Sequence, residues 1–451
     1  MKKLHLILSA VCLSLVSCEI TDLNTDPNNP NESIVPVVNI YPSMTTQSHK
    51  NIVAINARVA GIVAQHYYGI DAQQIAYSQY NITESDTDDY WDGALYGGGA
   101  MTDCNIIMNN NTGETSALAK LYMAANLGMT TSMWGDIPYS DAFNGTQGNF
   151  NPSYDKQEDV YDTVQRLLTE SISDGVASGF GAFLGNGSTG SVDWEKTAHA
   201  LKARYFLHLT KVNPTAAASA LSEANLALTN NSEQADFIWS LPAQNANPLF
   251  LFNNDRPGTL SVHPSFRALV NTDPRFNIYT NATGDFTGAT FFWGQANSPT
   301  PLISNWEVQF IKAEAIVRTS GTDANALAAL RAAVSANMEY VGVPALQIAS
   351  YTAGLNLSGS LDDKVRTIIT EKYKSLFGNA PLEAWTDYRR TGFPALTPDV
   401  DAVPSVNPSR IVPRRFLYPI SERQTNNANY SAAISAQGGH LLDNDMWAFP
   451  Q

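Results

Sequence analysis

The chain has 451 residues, 44% of them hydrophobic, and a formal charge of −15 at neutral pH. That length and apolar content are enough for a large packed core. The acidic balance excludes a nucleic-acid binder, which needs basic surface to neutralise phosphates.

Taken in chain order, the N-terminus reads first as a leader. Lys2 and Lys3 precede an apolar run from Leu4 to Val16, the layout of a secretory signal and too short for a membrane span. Leu15, Val16 and Ser17 lead into Cys18, and Leu-Val-Ser-Cys resembles the bacterial lipobox. Residues 1–17 are therefore expected to be removed as a lipoprotein signal peptide, with Cys18 acylated. Each buried CH₂ of the acyl chains would add roughly 0.8 kcal/mol of anchoring. Residues 18–36, rich in Asn, Asp and Pro, cannot bury enough surface to fold and read as a flexible tether. No further linker follows, so 37–451 is expected to form one domain. Cys12 leaves with the leader and Cys18 is acylated, which leaves Cys104 without a partner, as a small buried apolar residue.

Helical periodicity dominates the rest. Helices are predicted over 44–68, 88–109, 114–133, 156–174, 193–211, 214–229, 305–319, 323–337, 361–377 and 381–390. In 193–211, Trp194, Ala198, Leu201, Tyr205 and Leu209 form one stripe, with Asp193 as N-cap. Long stretches at 135–154, 178–192, 230–304 and 391–451 lack periodicity, yet their aromatic content predicts ordered, packed loops. The helix pairs suggest a helical-repeat scaffold without a strict period of about 34 residues.

Catalytic patterns are absent from the sequence. No H-E-x-x-H, G-x-S-x-G or P-loop occurs. His199 and His208 lie about 900° of helical turn apart and so face opposite sides. Gly185, Gly187 and Gly190 spell G-x-G-x-x-G, but no βαβ pattern surrounds them. Asp22, Asn24 and Asp26 begin like a calcium loop, with Pro27 and Ser33 where Gly and Glu are required. The carboxylates from Glu84 to Asp92 cluster at a helix start, where they favour the positive end of the dipole; a structural calcium there is the other reading. No cofactor is otherwise expected.

Aromatic residues flanked by amides suit sugar or peptide binding, since rings can stack on apolar sugar faces and amides can bond hydroxyls. "HYYGIDAQQIAYSQYN" and "TFFWGQANS" carry this pattern. They nominate Tyr68, Tyr77, Tyr80, Phe292, Trp293, Gln295 and Asn297 as ligand-binding residues.

Several long segments resemble one family. These are "NTDPNNPN" behind the lipobox, "MWGDIPYSDAF" (133–143), "DWEKTAHALKARYFLHLTK" (193–211), "EVQFIKAEAIVR" (307–318), "EAWTDYRRTGFPAL" (383–396) and "RRFLYPISERQTNNANYSAAI" (414–434). They are similar to the SusD/RagB family of nutrient-binding outer-membrane lipoproteins, in its SusD-like branch. "DDYWDGALYGGGAMTDCNII" (88–107) and "TDPRF" (272–276) fit as well. The resemblance implies an all-α fold of tetratricopeptide-like helix pairs, with long irregular loops facing the ligand. It also implies a non-catalytic protein at the cell surface, lipid-anchored in the outer membrane. Such a protein would cap a TonB-dependent SusC-like β-barrel and deliver oligosaccharides, or peptides, into it. Glu19 and Asp22 are similar to surface-export signals of Bacteroidetes lipoproteins. No binding residue transfers by motif, and the motif residues themselves read as scaffold.

A surface glycoside hydrolase is the alternative, and a structural or adhesin lipoprotein the second alternative. Cys18→Ala is expected to move the protein from the membrane fraction to the soluble fraction, read by fractionation and immunoblot. Retention in the membrane would refute the anchor.

Overall fold

The computed structural model describes residues 35–185, 192–241 and 243–451. Cys18, the leader, most of the tether, Gly187 and Gly190 lie outside the described residues.

α1 (Val37–Val53) and α2 (Ile55–Val63) are one predicted helix broken at Ala54, whose ψ of −158° takes the backbone out of the helical region. β1 (Tyr67–Gly69) and α3 (Ala72–Ser78) follow, then a π-helical turn at Tyr90–Tyr96 and α4 (Ala100–Asn110). Glycines interrupt the helix predicted over 88–109. A Cβ on Gly99 would lie 2.1 Å from the Ala94 carbonyl carbon, so this fold-back needs a residue without a side chain.

α5 (Glu114–Trp134) is Ala- and Leu-rich with no polar stripe, and it is buried around nearly its whole circumference. α6 (Gln157–Asp174) turns Val160, Tyr161, Val164, Leu167 and Leu168 inward at helical spacing. α7 (Trp194–His208) begins at Asp193, whose carboxylate accepts the Lys196 N–H at 3.0 Å, as its sequence predicts. α8 (Ala216–Ala224) packs back along it.

The stretch 230–304, read from sequence as irregular, holds β2 (Asp236–Phe237), α9 (Pro248–Asp255), β3 (Leu260–Val262), α10 (Pro264–Val270), α11 (Phe276–Tyr279) and β4 (Thr300–Pro301). α9 and α10 each start with proline behind a side-chain cap, Asn247 and His263. They are too short to show periodicity. β1 pairs antiparallel with β3, and β2 with β4.

α12 (Asn305–Arg318), α13 (Asp323–Tyr340), α14 (Ala345–Ala353), α15 (Leu361–Ser375), α16 (Pro381–Thr391), α17 (Ile420–Thr425) and α18 (Asn427–Ala436) complete the chain. Gly392, left-handed at φ 78°, ends α16 as expected. The short connections 111–113, 209–215 and 319–322 return consecutive helices onto each other. α4 packs on α5, α5 on α6, α6 on α7, α7 on α8, α8 on α12 and α12 on α13. The result is an all-α, tetratricopeptide-like scaffold. Buried side chains from Ile40 to Phe449 form one contiguous cluster, with the free thiol of Cys104 inside it.

The signature motifs hold this scaffold together. Trp134 donates its indole N–H to the Leu417 carbonyl at 2.8 Å, and Trp385 donates to the Pro413 carbonyl at 2.7 Å. Arg389 lies 3.8 Å above the Trp385 ring and donates to the Ser132 and Arg414 carbonyls. Around α16 runs a buried network of charges. Arg390 meets Glu314 and, at 2.7 Å, Asp387; Lys372 meets Asp387 at 2.8 Å. Arg204 grips Glu307 with two bonds of 2.8 and 2.7 Å. His208 links Glu383 at 2.9 Å to the Tyr161 hydroxyl at 3.0 Å. His199, on the other side of α7, meets Glu223 instead.

Burial opposes ionisation of Glu314, but the charges of Arg390 and Arg318 outweigh it and hold the carboxyl below the usual carboxylate range. A carboxylate depressed in the folded state adds stability above its unfolded pKa of about 4.3 and loses it as pH falls further. Glu314→Ala leaves Arg318 without its carboxylate and Arg390 with Asp387 alone. It is expected to cost about 3–5 kcal/mol in urea unfolding at pH 7 and to flatten the acid limb of the stability curve. A change under about 1 kcal/mol would show the network to be dispensable.

Candidate ligand groove

A groove of about 310 Å³ opens between α2, α3 and α9. The β1–β3 ladder ties its walls together, continued by Ile70 N–H donating to the Thr259 carbonyl at 2.9 Å. Gly69 lets the chain cross close over α3. A Cβ there would lie 1.8 Å from the Gln74 carbonyl oxygen, and the Gly69 N–H reaches Ser78 Oγ at 2.7 Å. α3 starts on Asp71, which accepts the Ala72 N–H. This arrangement places Gln73, Gln74 and Tyr77 along one wall.

Phe252 forms the apolar floor and Arg58 lies over its ring, 3.6 Å from the centroid. Arg256, 5.5 Å from the same ring, stands exposed at the rim. Arg58 Nε donates to Gln74 Oε1 at 3.3 Å. Burial lowers the Arg58 pKa to about 10, with Tyr77 opposing and the Arg256 charge adding to the fall, so the group stays cationic at neutral pH. Across from it, Asp86 accepts from the Tyr77 hydroxyl at 2.9 Å, from Gln73 Nε2 at 2.6 Å, and from the Thr83 N–H and hydroxyl at 2.7 and 2.6 Å. Burial, then the neighbouring Asp86, push the Tyr77 hydroxyl above its ordinary pKa, which keeps it a donor. Guanidinium, amide, phenol and carboxylate thus surround one aromatic floor. The groove offers hydrogen-bond donors and acceptors beside an aromatic ring that Arg58 covers on one face.

Of the residues nominated from sequence, Tyr77 lines the groove. Tyr68 is half-buried against His263, ring centroids 5.2 Å apart, and Tyr80 is buried. Phe292, Trp293, Gln295 and Asn297 form a separate turn held by Ser298, whose Oγ accepts the Gln295 N–H and donates to the Phe292 carbonyl. Trp293 is 1% exposed. It stacks on Tyr340 at 6.0 Å and fills the space left by Gly378, where a Cβ would come within 2.4 Å of it. Asn297 is exposed and Gln295 half-buried. Sequence reading passed over Arg58, Gln73, Gln74, Phe252 and Arg256. A lone basic residue within the apolar run "INARVAGIV" was the available signal for Arg58.

Of the carboxylates between Glu84 and Asp92, Glu84, Asp86 and Asp88 go to separate partners. Glu84 meets Arg423 at 2.8 Å and the Tyr430 hydroxyl at 2.6 Å, while Asp88 accepts the Ser421 N–H at 3.0 Å. Among the described residues, no group of three or more His, Cys, Asp or Glu is placed to hold a metal ion. Among them, no helix is long and apolar enough to cross a membrane.

Residues 27–419 match the SusD-like family, described as starch-binding associating with outer membrane. A chitin-binding SusD homologue from Flavobacterium johnsoniae is similar in fold, with TM-score 0.75 and 18% identity over 91% of this chain and 99% of that one. A SusD-like protein from Bacteroides thetaiotaomicron gives TM-score 0.73 at 19% identity over 92% and 99%. A SusD homologue from Bacteroides uniformis gives 0.72 at 22% over 91% and 99%. Among curated proteins, none matches the sequence. With most of its length matched, the chain belongs to the SusD-like family of outer-membrane nutrient-binding proteins, and it serves as a binding protein and not as an enzyme.

Proposed function

We propose that the chain is the capturing partner of an uptake system, taking an oligosaccharide into the groove of Arg58, Tyr77 and Phe252. It would be held at the cell surface through acylated Cys18 and pass its cargo to a SusC-like TonB-dependent β-barrel. The observation that carries this reading is the groove itself. An aromatic floor lies under a guanidinium that stays charged, ringed by Gln73, Asp86 and Arg256. Sugar hydroxyls both donate and accept, and the groove offers partners for both. Family membership supports the transporter pairing. Tyr68 and Gln295 are half-buried and Asn297 is exposed, so each stays accessible to a ligand at its own place in the fold.

The chitin-binding relative and the family's starch-binding description make chitin and starch oligosaccharides the first probes. The soluble Cys18→Ala protein is to be screened against immobilised polysaccharides, oligosaccharides and peptides, with products analysed alongside. Binding without turnover is expected. Turnover would favour the hydrolase alternative, and peptide binding alone would change the cargo. Once a ligand is in hand, Arg58→Ala and Phe252→Ala should each weaken binding about tenfold by calorimetry, as loss of one good contact does. The helical circular dichroism should stay intact. Unchanged affinity in both variants would place the site elsewhere.

A further inference from the structure

The chain carries 42 acidic against 27 basic side chains, and most of its buried arginines are matched. Arg204, Arg275, Arg390 and Arg414 each meet a carboxylate. Arg389 and Arg415 have none, but both are buried out of a ligand's reach. Against that background, Arg58 and Arg256 in the groove are left open.

Arg58 is half-buried and spends its Nε on Gln74, an uncharged amide. Its two Nη atoms have no acceptor among the described residues, and neither is shut off from solvent. Arg256 is exposed, and its guanidinium has no carboxylate partner among the described residues. Both groups lie over the Phe252 ring, 3.6 and 5.5 Å from its centroid. The charge of Arg256 opposes that of Arg58, so the protein sets two like charges at one ring with no anion between them. A carboxylate or sulfate placed there would relieve the repulsion. It would also form charge-assisted bonds about twice as strong as neutral ones, in the fork geometry that a guanidinium offers.

The acidic residues of the groove do not fill this role. Asp86 and Asp89 line it, but neither forms an ion pair with Arg58 or Arg256. Asp86 accepts from Tyr77, Gln73 and Thr83, and Asp89 is exposed. The negative charge of the rest of the chain is screened beyond roughly 8 Å at physiological salt. The two guanidiniums therefore set the local preference.

We infer that the groove selects an acidic saccharide, whose uronate carboxylate or sulfate ester accepts from the Arg58 Nη atoms and pairs with Arg256. The inference rests on the proposed saccharide cargo and adds the charge of its units.

The test is calorimetry on the Cys18→Ala protein. Oligosaccharides of galacturonate, alginate, hyaluronan, chondroitin sulfate and carrageenan are titrated beside neutral chitohexaose, maltohexaose, xylohexaose and mannohexaose. Each acidic probe is paired with its methyl-esterified or desulfated counterpart, which tells carboxylate from sulfate as the recognised group. At least one acidic probe should bind, and its neutralised counterpart should bind about tenfold more weakly. Affinity should fall as salt is raised. Arg58→Gln and Arg256→Gln should each weaken binding about tenfold and reduce that salt dependence, with the helical circular dichroism unchanged. Arg256 is exposed, so its variant reads the charge without disturbing the core. Neutral probes that bind as tightly as every acidic one, and lose affinity in Phe252→Ala, overturn the acidic preference and leave the proposed function standing. Acidic binding that ignores both arginine variants, or equals that of the neutralised counterpart, overturns the inference as well. Absence of binding by any saccharide overturns it together with the saccharide reading.

Discussion

The fold depends on charges that four helices can satisfy only together. Arg204 comes from α7, Glu307 and Glu314 from α12, Lys372 from α15, and Glu383, Asp387 and Arg390 from α16. Each is nearly or fully buried. Taking one such ion out of water costs several kcal/mol, recovered only with good geometry and a complete set of partners. A network of this kind gains little over apolar packing in net stability. We take its role to be register: sliding any of the four helices by a turn would strand a buried ion.

That register matters at the groove because the groove's walls are short. α3 and α9 are brief helices, and β1 and β3 are strands of three residues. None of these would be stable alone. They are placed by what lies behind them: α2 packs on α16, and Tyr373 of α15 donates its hydroxyl to the Ala64 carbonyl at 2.7 Å. A rigid helical body thus carries a polar surface made of loops and short elements, the usual division between scaffold and binding face.

The same contrast explains what could be read from the sequence. Long helices announced themselves through periodicity, and Asp193 and Gly392 marked two ends correctly because capping is local chemistry. The break at Ala54 was invisible, since nothing in "NIVAINARV" opposes a continuous helix. Helices α9, α10 and α14 have too few turns for a pattern to emerge. The groove was the least legible part. Arg58 and Phe252 are almost two hundred residues apart in sequence, and only tertiary contact joins them. Tyr77 stood out as part of a tyrosine-rich loop. Trp293 stood out for the same compositional reason, yet Tyr340, Trp306 and Gly378 close around it. Composition flags aromatics without saying which face of the fold they will meet.

The groove also bears on capture as against cleavage. Two carboxylates, Asp86 and Asp89, line it, which at first sight is the equipment of a glycosidase. Such an enzyme needs one carboxyl group protonated at the working pH to supply the leaving oxygen. Asp86 is already engaged within the wall, where Tyr77, Gln73 and Thr83 all donate to it. The carboxylate fixes Tyr77 and Gln73 in place, so its chemistry is spent on orienting the wall. Under the proposed reading, such a wall would hold a sugar through fixed donors and acceptors.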